Sequence, residues 1–238
     1  MNLFSIIIIL MIIMSGLVGW KRGVLKEAVF FIGTIIIFVI AYKLKDVVGD
    51  LLCKYLPFFT FSDNLEGVVS LNILIYQTLA FALIVGVLYG IFGIIMTMTG
   101  IMQKIVNMTI ILALPSKILG FIIGLIEGYI IVFVLLVALA IPLKQIPSYA
   151  ENSLTNKIIY ESPILSKSIG NVGDAISDIY GLIDSINKKH QTTNQINLDC
   201  IDIMLKYKIV SVREINKLIA LDKLDTINNI ESITNKYK

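Results

Sequence analysis

Glu127 is the one charged side chain between Ile118 and Leu143, in a stretch otherwise made of apolar and small residues. A carboxylate inside a lipid-spanning helix costs roughly 2.5–3.5 kcal/mol on insertion scales. Something in the fold must offset that cost. At about 100° per residue, Gly124 lies about 40° and Gly128 about 80° from Gly120, with Glu127 about 20° to the other side. The carboxylate therefore flanks a glycine stripe, the face that lets helices approach closely in lipid. Two roles are open to it. In the structural one it is hydrogen-bonded to Asn72, Gln77, a tyrosine or a backbone carbonyl. In the functional one it lines a polar cavity or a proton path. Asn72 and Gln77, the amide side chains of the third span proper, are the expected partners, and the structural role leads.

Other chemistry is sparse. Cys53 and Cys200 are the two cysteines, and no C-x-x-C or Cys/His spacing suggests zinc or redox work. Both read as small buried hydrophobes. His190 stands alone in a polar stretch. No G-x-S-x-G, H-E-x-x-H, Walker A motif or carboxylate cluster is present, so the chain reads as a non-enzyme with no cofactor and no metal. The net charge of +3 is too small to imply nucleic acid.

The elements that must position Glu127 are membrane spans. The chain is 57% hydrophobic, above the usual 45–50% of soluble domains. Leu3–Trp20 is uncharged and spans roughly 27 Å as a helix. Its positive charges, Lys21, Arg22 and Lys26, follow it, unlike those of a signal peptide. The second span is Ala28–Tyr42. The third lies near Leu71–Ile95 within the uncharged run Gly67–Gln103, with the remainder and Lys104 forming an interfacial helix. The fourth is Ile118–Ile141, ended by Pro142 and preceded by Pro115. The fold class is all-α: a polytopic helical membrane protein with four transmembrane helices, amphipathic interfacial helices and a short helical C-terminal tail. Residues 1–142 form the transmembrane domain, 143–189 an amphipathic segment, 190–196 a linker and 197–238 a small soluble helical module. The Lys/Arg bias of the first loop places both termini outside the cytoplasm.

Small residues align on three spans. Gly86, Gly90, Gly93, Thr97 and Gly100 form a stripe on the third. Gly120, Gly124 and Gly128 form one on the fourth, and Ser15, Gly19 and Gly23 one on the first. All are read as helix-packing faces. Lys43–Tyr55 carries Leu44, Val48, Leu51 and Tyr55 on one face, joined by Val47 and Leu52, and charges on the other, which predicts an interfacial helix. Leu165, Ile169, Val172, Ile176, Ile179, Ile183 and Ile186 form a heptad-like seam weakened by Gly170, Gly173 and Gly181. Docking on the membrane domain, on the bilayer surface or on a partner is expected of it, with a homo-oligomer as the alternative. Ser211–Glu214 matches a capping box.

Gly19-Trp-Lys-Arg22-Gly23-Val-Leu-Lys26-Glu27 resembles the signature of the colicin V production (CvpA) family. In that family an Arg-Gly pair ends the first span, and a basic residue and a glutamate open the second. Lys117-Ile-Leu-Gly120-Phe-Ile-Ile-Gly124-Leu-Ile-Glu127-Gly128 is similar to the fourth-span motif, with Glu127 where the family carries arginine. Glu161-Ser-Pro-Ile-Leu165 resembles the segment after that span. The resemblance covers about residues 1–186. It implies a multi-pass protein of the cytoplasmic membrane, linked to peptide toxin production or export and to envelope upkeep, with the lipid bilayer and unidentified membrane or envelope proteins as partners. The competing expectation is a small oligomeric channel or transporter with Glu127, Asn72 and Gln77 on one polar path.

Overall fold

Long apolar runs without proline can satisfy their backbone groups only by forming helices, and the computed structural model follows that rule. It describes residues 2–61, 65–98, 113–143, 152–162, 165, 170–189 and 191–238. Gly100, Lys104, Ile169 and His190 lie outside the described residues, as do the side chains of Val172 and Ile186. The described residues are all-helical. Four helices are long and apolar enough to cross a membrane: α1 (Leu3–Arg22), α2 (Val24–Tyr55), α3 (Leu71–Met98) and α4 (Ala113–Leu143). Five more polar ones follow among the described residues: α5 (Ser153–Glu161), α6 (Gly170–Lys189), α7 (Thr193–Lys206), α8 (Val212–Ala220) and α9 (Ile230–Lys236).

A single residue turns the chain between the first two spans. Gly23 has φ +75°, its N–H bonds to Gly19 O at 2.9 Å, and it closes α1 while opening α2. That left-handed φ favours glycine strongly. The first free N–H of α2, on Val24, donates to Ser116 Oγ of α4 at 3.2 Å.

α4 lies between α1 and α2, antiparallel to the first, and α3 runs along the far side of α2. α1 and α4 touch backbone to backbone. A Cβ built on Gly19 would strike Gly120 O, one on Gly124 would meet Ser15 O at 2.5 Å, and one on Gly128 would meet Ser15 Cβ at 2.6 Å. The stripes of the first and fourth helices thus face each other. The stripe of α3 behaves otherwise: a Cβ at Gly86, Gly90 or Gly93 would meet no atom within 4 Å. Among the described residues those three glycines pack on no other helix, contrary to expectation, because α3 turns other residues to α2. Phe92 of α3 lies 2.6 Å from a Cβ built on Gly33, and its ring meets Phe30 edge-on at 5.4 Å.

Two boundaries differ from those expected. Lys43–Tyr55 is not a separate interfacial helix but the continuation of α2, whose 32 residues reach about 48 Å. Gly49, the residue there with the lowest helix propensity, packs on Gln77. The expected apolar face divides: Leu44, Val47, Leu51 and Tyr55 are exposed, while Leu52 joins Cys53 against a core. The fourth span begins earlier than Ile118, with Pro115 inside its first turn, where the missing N–H costs nothing.

The C-terminal helices share their core with the membrane domain. Ile196, Cys200, Ile201, Met204, Ile215, Leu218 and Leu224 pack in one cluster with Cys53, Leu65, Val68, Leu71, Ile73 and Tyr76. Residues 197–238 therefore dock on the α2–α3 connection, and the first turns of α3 are covered by protein. Asn197 fastens the joint: its Oδ1 accepts from Ser70 N at 2.9 Å and its Nδ2 donates to Gly67 O at 3.0 Å. Lys217 pairs with Asp50 at 2.5 Å. The seam divides: Ile179 of α6 belongs to that cluster and Ile183 packs against it, while Leu165 packs beside Ile158 and Ile159 in a second cluster. The capping box at Ser211 and Glu214 forms as read.

Candidate functional site

The close approach of α1 to α4 and the one-residue turn at Gly23 bring the first turn of α2 against the N-terminal turns of α4. Glu27, one turn into α2, is fully buried there. Its Oε2 accepts from Arg22 Nη1 at 3.3 Å, and the guanidinium lies 3.9 Å over the Phe30 ring. The Arg22 side chain keeps 29% exposure against 1% for Glu27, so the cation stands at the rim and the carboxyl inside.

Glu127 is 5% exposed and reaches this point from α4. Glu27 Oε1 lies 3.1 Å from a Cβ built on Gly124, one turn before Glu127 on α4, so the two buried carboxyl groups are neighbours between α2 and α4. Among the described residues, no N–H or O–H group reaches Glu27 Oε1. Glu127 Oε1 accepts from Thr34 Oγ1 at 2.5 Å, and Thr34 Oγ1 accepts from the Tyr89 hydroxyl at 2.7 Å. Thr34 lies about 16 Å along α2 from Gly23. The series Arg22, Glu27, Glu127, Thr34, Tyr89 is thus a polar ladder that starts at the first loop and descends between all four spanning helices. Beside it is a cavity of about 570 Å³, walled mainly by apolar side chains such as Phe30, Phe38 and Phe81, with Arg22, Tyr89 and Glu127 on its lining.

The structure corrects the expected partners of Glu127. Asn72 is bound elsewhere: its Oδ1 accepts from Phe59 N at 2.7 Å and its Nδ2 donates to Phe59 O at 3.1 Å, pinning the chain that leads into α3. Gln77 accepts from Lys45 Nζ at 3.4 Å. Both belong to the end of the bundle covered by the C-terminal helices, so Glu127, Asn72 and Gln77 do not share a path. Lys26 is half-buried at the start of α2, and Lys117 is exposed one turn into α4. Sequence reasoning placed Glu27 only in a family motif and passed over Thr34, Tyr89 and Ser116. One signal was present: Glu27 and Thr34 are two turns apart and share a helical face.

This architecture corresponds to a known family. The family model described as colicin V production protein matches residues 4–162. The chain belongs to the colicin V production protein family. The family region takes in all four spans, the ladder and α5, while α6 to α9 lie beyond it. No curated protein and no solved structure shows a significant match to the chain.

Proposed function

We propose that this family member is a non-catalytic accessory protein of the bacterial cytoplasmic membrane, serving the production or export of a peptide toxin or the upkeep of the envelope. The family match over residues 4–162 carries this reading. The fold supports it: α1 and α4 interlock through glycines, and the C-terminal helices build an extramembrane face on the α2–α3 connection. Such a face suits contact with membrane or envelope proteins. The test is deletion of the gene in its host, with peptide toxin activity in the medium and tolerance of detergent as readouts. A fall in either, restored by the intact chain, is expected. No change in both would overturn the proposal.

One observation favours a second reading, a small channel or transporter: Glu127 lines a cavity and is linked to a hydroxyl relay. The path would then be the ladder, without Asn72 and Gln77. Ion flux into proteoliposomes that Glu127→Gln abolishes, with the fold intact, would support it; equal flux in both proteins, or none in the wild type, would exclude it.

A further inference from the structure

Two carboxyl groups meet inside the bundle, and one guanidinium faces them. An ionised carboxylate only accepts hydrogen bonds, so two neighbouring buried carboxyls can bond to each other only when one of them carries a proton. Glu27 Oε2 is occupied by Arg22, and Glu127 Oε1 by Thr34. Glu27 Oε1 is buried without a donor, a costly state unless the facing carboxyl supplies the proton. The groups around the pair are few. α1 contributes Arg22, α2 contributes Thr34, and α3 contributes the Tyr89 hydroxyl, which points to Thr34. No second cation is bound to the pair among the described residues.

We propose that Glu27 and Glu127 form a proton-binding site that holds a single proton between them and exchanges it with the aqueous phase at the first loop. Arg22 sets the charge count. With one proton present, the guanidinium, one carboxylate and one carboxylic acid are together neutral, the condition that a lipid-buried cluster favours. Loss of that proton leaves two facing carboxylates and one cation, and their repulsion pushes α2 away from α4. Partial exposure of Arg22 gives the proton its entry, and Thr34 and Tyr89 fix the inner carboxyl so that the pair stays in register. The site stands on its own geometry and is independent of the function proposed above.

Infrared spectroscopy of the full chain in liposomes tests it, with protein carrying carboxyl-¹³C glutamate as the assignment control. The wild type is expected to show one carbonyl band of a protonated, unhydrated glutamic acid near neutral pH. That band should shift with the isotope and fade reversibly as the buffer becomes alkaline, with helicity retained. Glu127→Gln should abolish it, because Glu27 then remains ionised beside Arg22 and receives the amide N–H. Absence of an isotope-sensitive band in the wild type at every pH would overturn the proposal. So would its persistence in folded Glu127→Gln protein. If that variant does not fold, the wild-type titration alone decides.

Discussion

Gly19 of α1 and Gly120 of α4 occupy each other's side-chain space: a Cβ built on either would strike the carbonyl oxygen of the other. Backbone, unlike a flexible side chain, cannot move aside cheaply. Gly120→Ala is therefore expected to cost about 1–3 kcal/mol, the range for overpacking a tight contact. Gly90→Ala, at a site with no atom within 4 Å, should cost nothing or stabilise slightly by its better helix propensity. Thermal unfolding in mild detergent compares them, and equal melting temperatures would contradict the interlock.

Thr34 both donates to Glu127 and accepts from Tyr89. Thr34→Val keeps the shape and removes both bonds, leaving a buried carboxyl oxygen and a buried hydroxyl without their partner. A loss of about 1–3 kcal/mol is expected. Glu127→Gln, whose amide oxygen still accepts from Thr34, should stay within about 1 kcal/mol of the wild type. Chemical denaturation in detergent distinguishes the two, and the reverse order of stability would show that Thr34 does not hold Glu127.

Cys200 is wholly buried, and that burial pushes its thiol up to about 12. The reactive species is the thiolate, so the folded protein should resist maleimide at Cys200 from neutral pH to well into the alkaline range. Stoichiometric labelling is expected only after denaturation. Labelling of the native protein at neutral pH would mean that the C-terminal helices leave the α2–α3 connection.

The same burial makes Cys200 useless as a reporter of sidedness. Asp225 is exposed, and Asp225→Cys supplies one. Lys21, Arg22 and Lys26 follow an uncharged first span, which predicts both termini outside the cytoplasm. An impermeant maleimide should therefore label this variant in intact cells. Labelling only after permeabilisation would reverse the orientation.

Asp178 of α6 accepts from the Tyr207 hydroxyl at 2.8 Å and from Lys206 at 3.0 Å, and these bonds hold its carboxyl below the usual carboxylate range. A carboxylate with a lowered folded pKa adds stability above its unfolded value, about 3.9, and loses it as pH falls through the folded value. Acidification below about pH 4 should therefore loosen α6 from α7. In Asp178→Asn that part of the pH dependence should vanish. An unchanged acid limb in the variant would assign it to other carboxylates.

The spans, the all-helical class and the small-residue stripes of α1 and α4 were legible in the sequence because each rests on a local property. A run of apolar side chains long enough to cross lipid must be helical, and a small residue every fourth position marks a face whatever lies opposite. The capping box at Ser211 is local in the same sense. What stands opposite a face is not local. Gly86, Gly90 and Gly93 repeat the pattern of Gly120, Gly124 and Gly128, yet only the second set meets a backbone, because helix order in the bundle places α4 and not α3 against α1. Asn72 and Gln77 had the right chemistry to satisfy Glu127, but α3 runs antiparallel to α2 and carries them to the far end of the bundle. Tyr89 comes level with Thr34 instead. Thr34 and Glu127 are 93 residues apart, and Asn197 and Ser70 are 127 apart. Such pairs depend on which helices touch and in what register, and those are set by the summed packing of four spans rather than by any one segment.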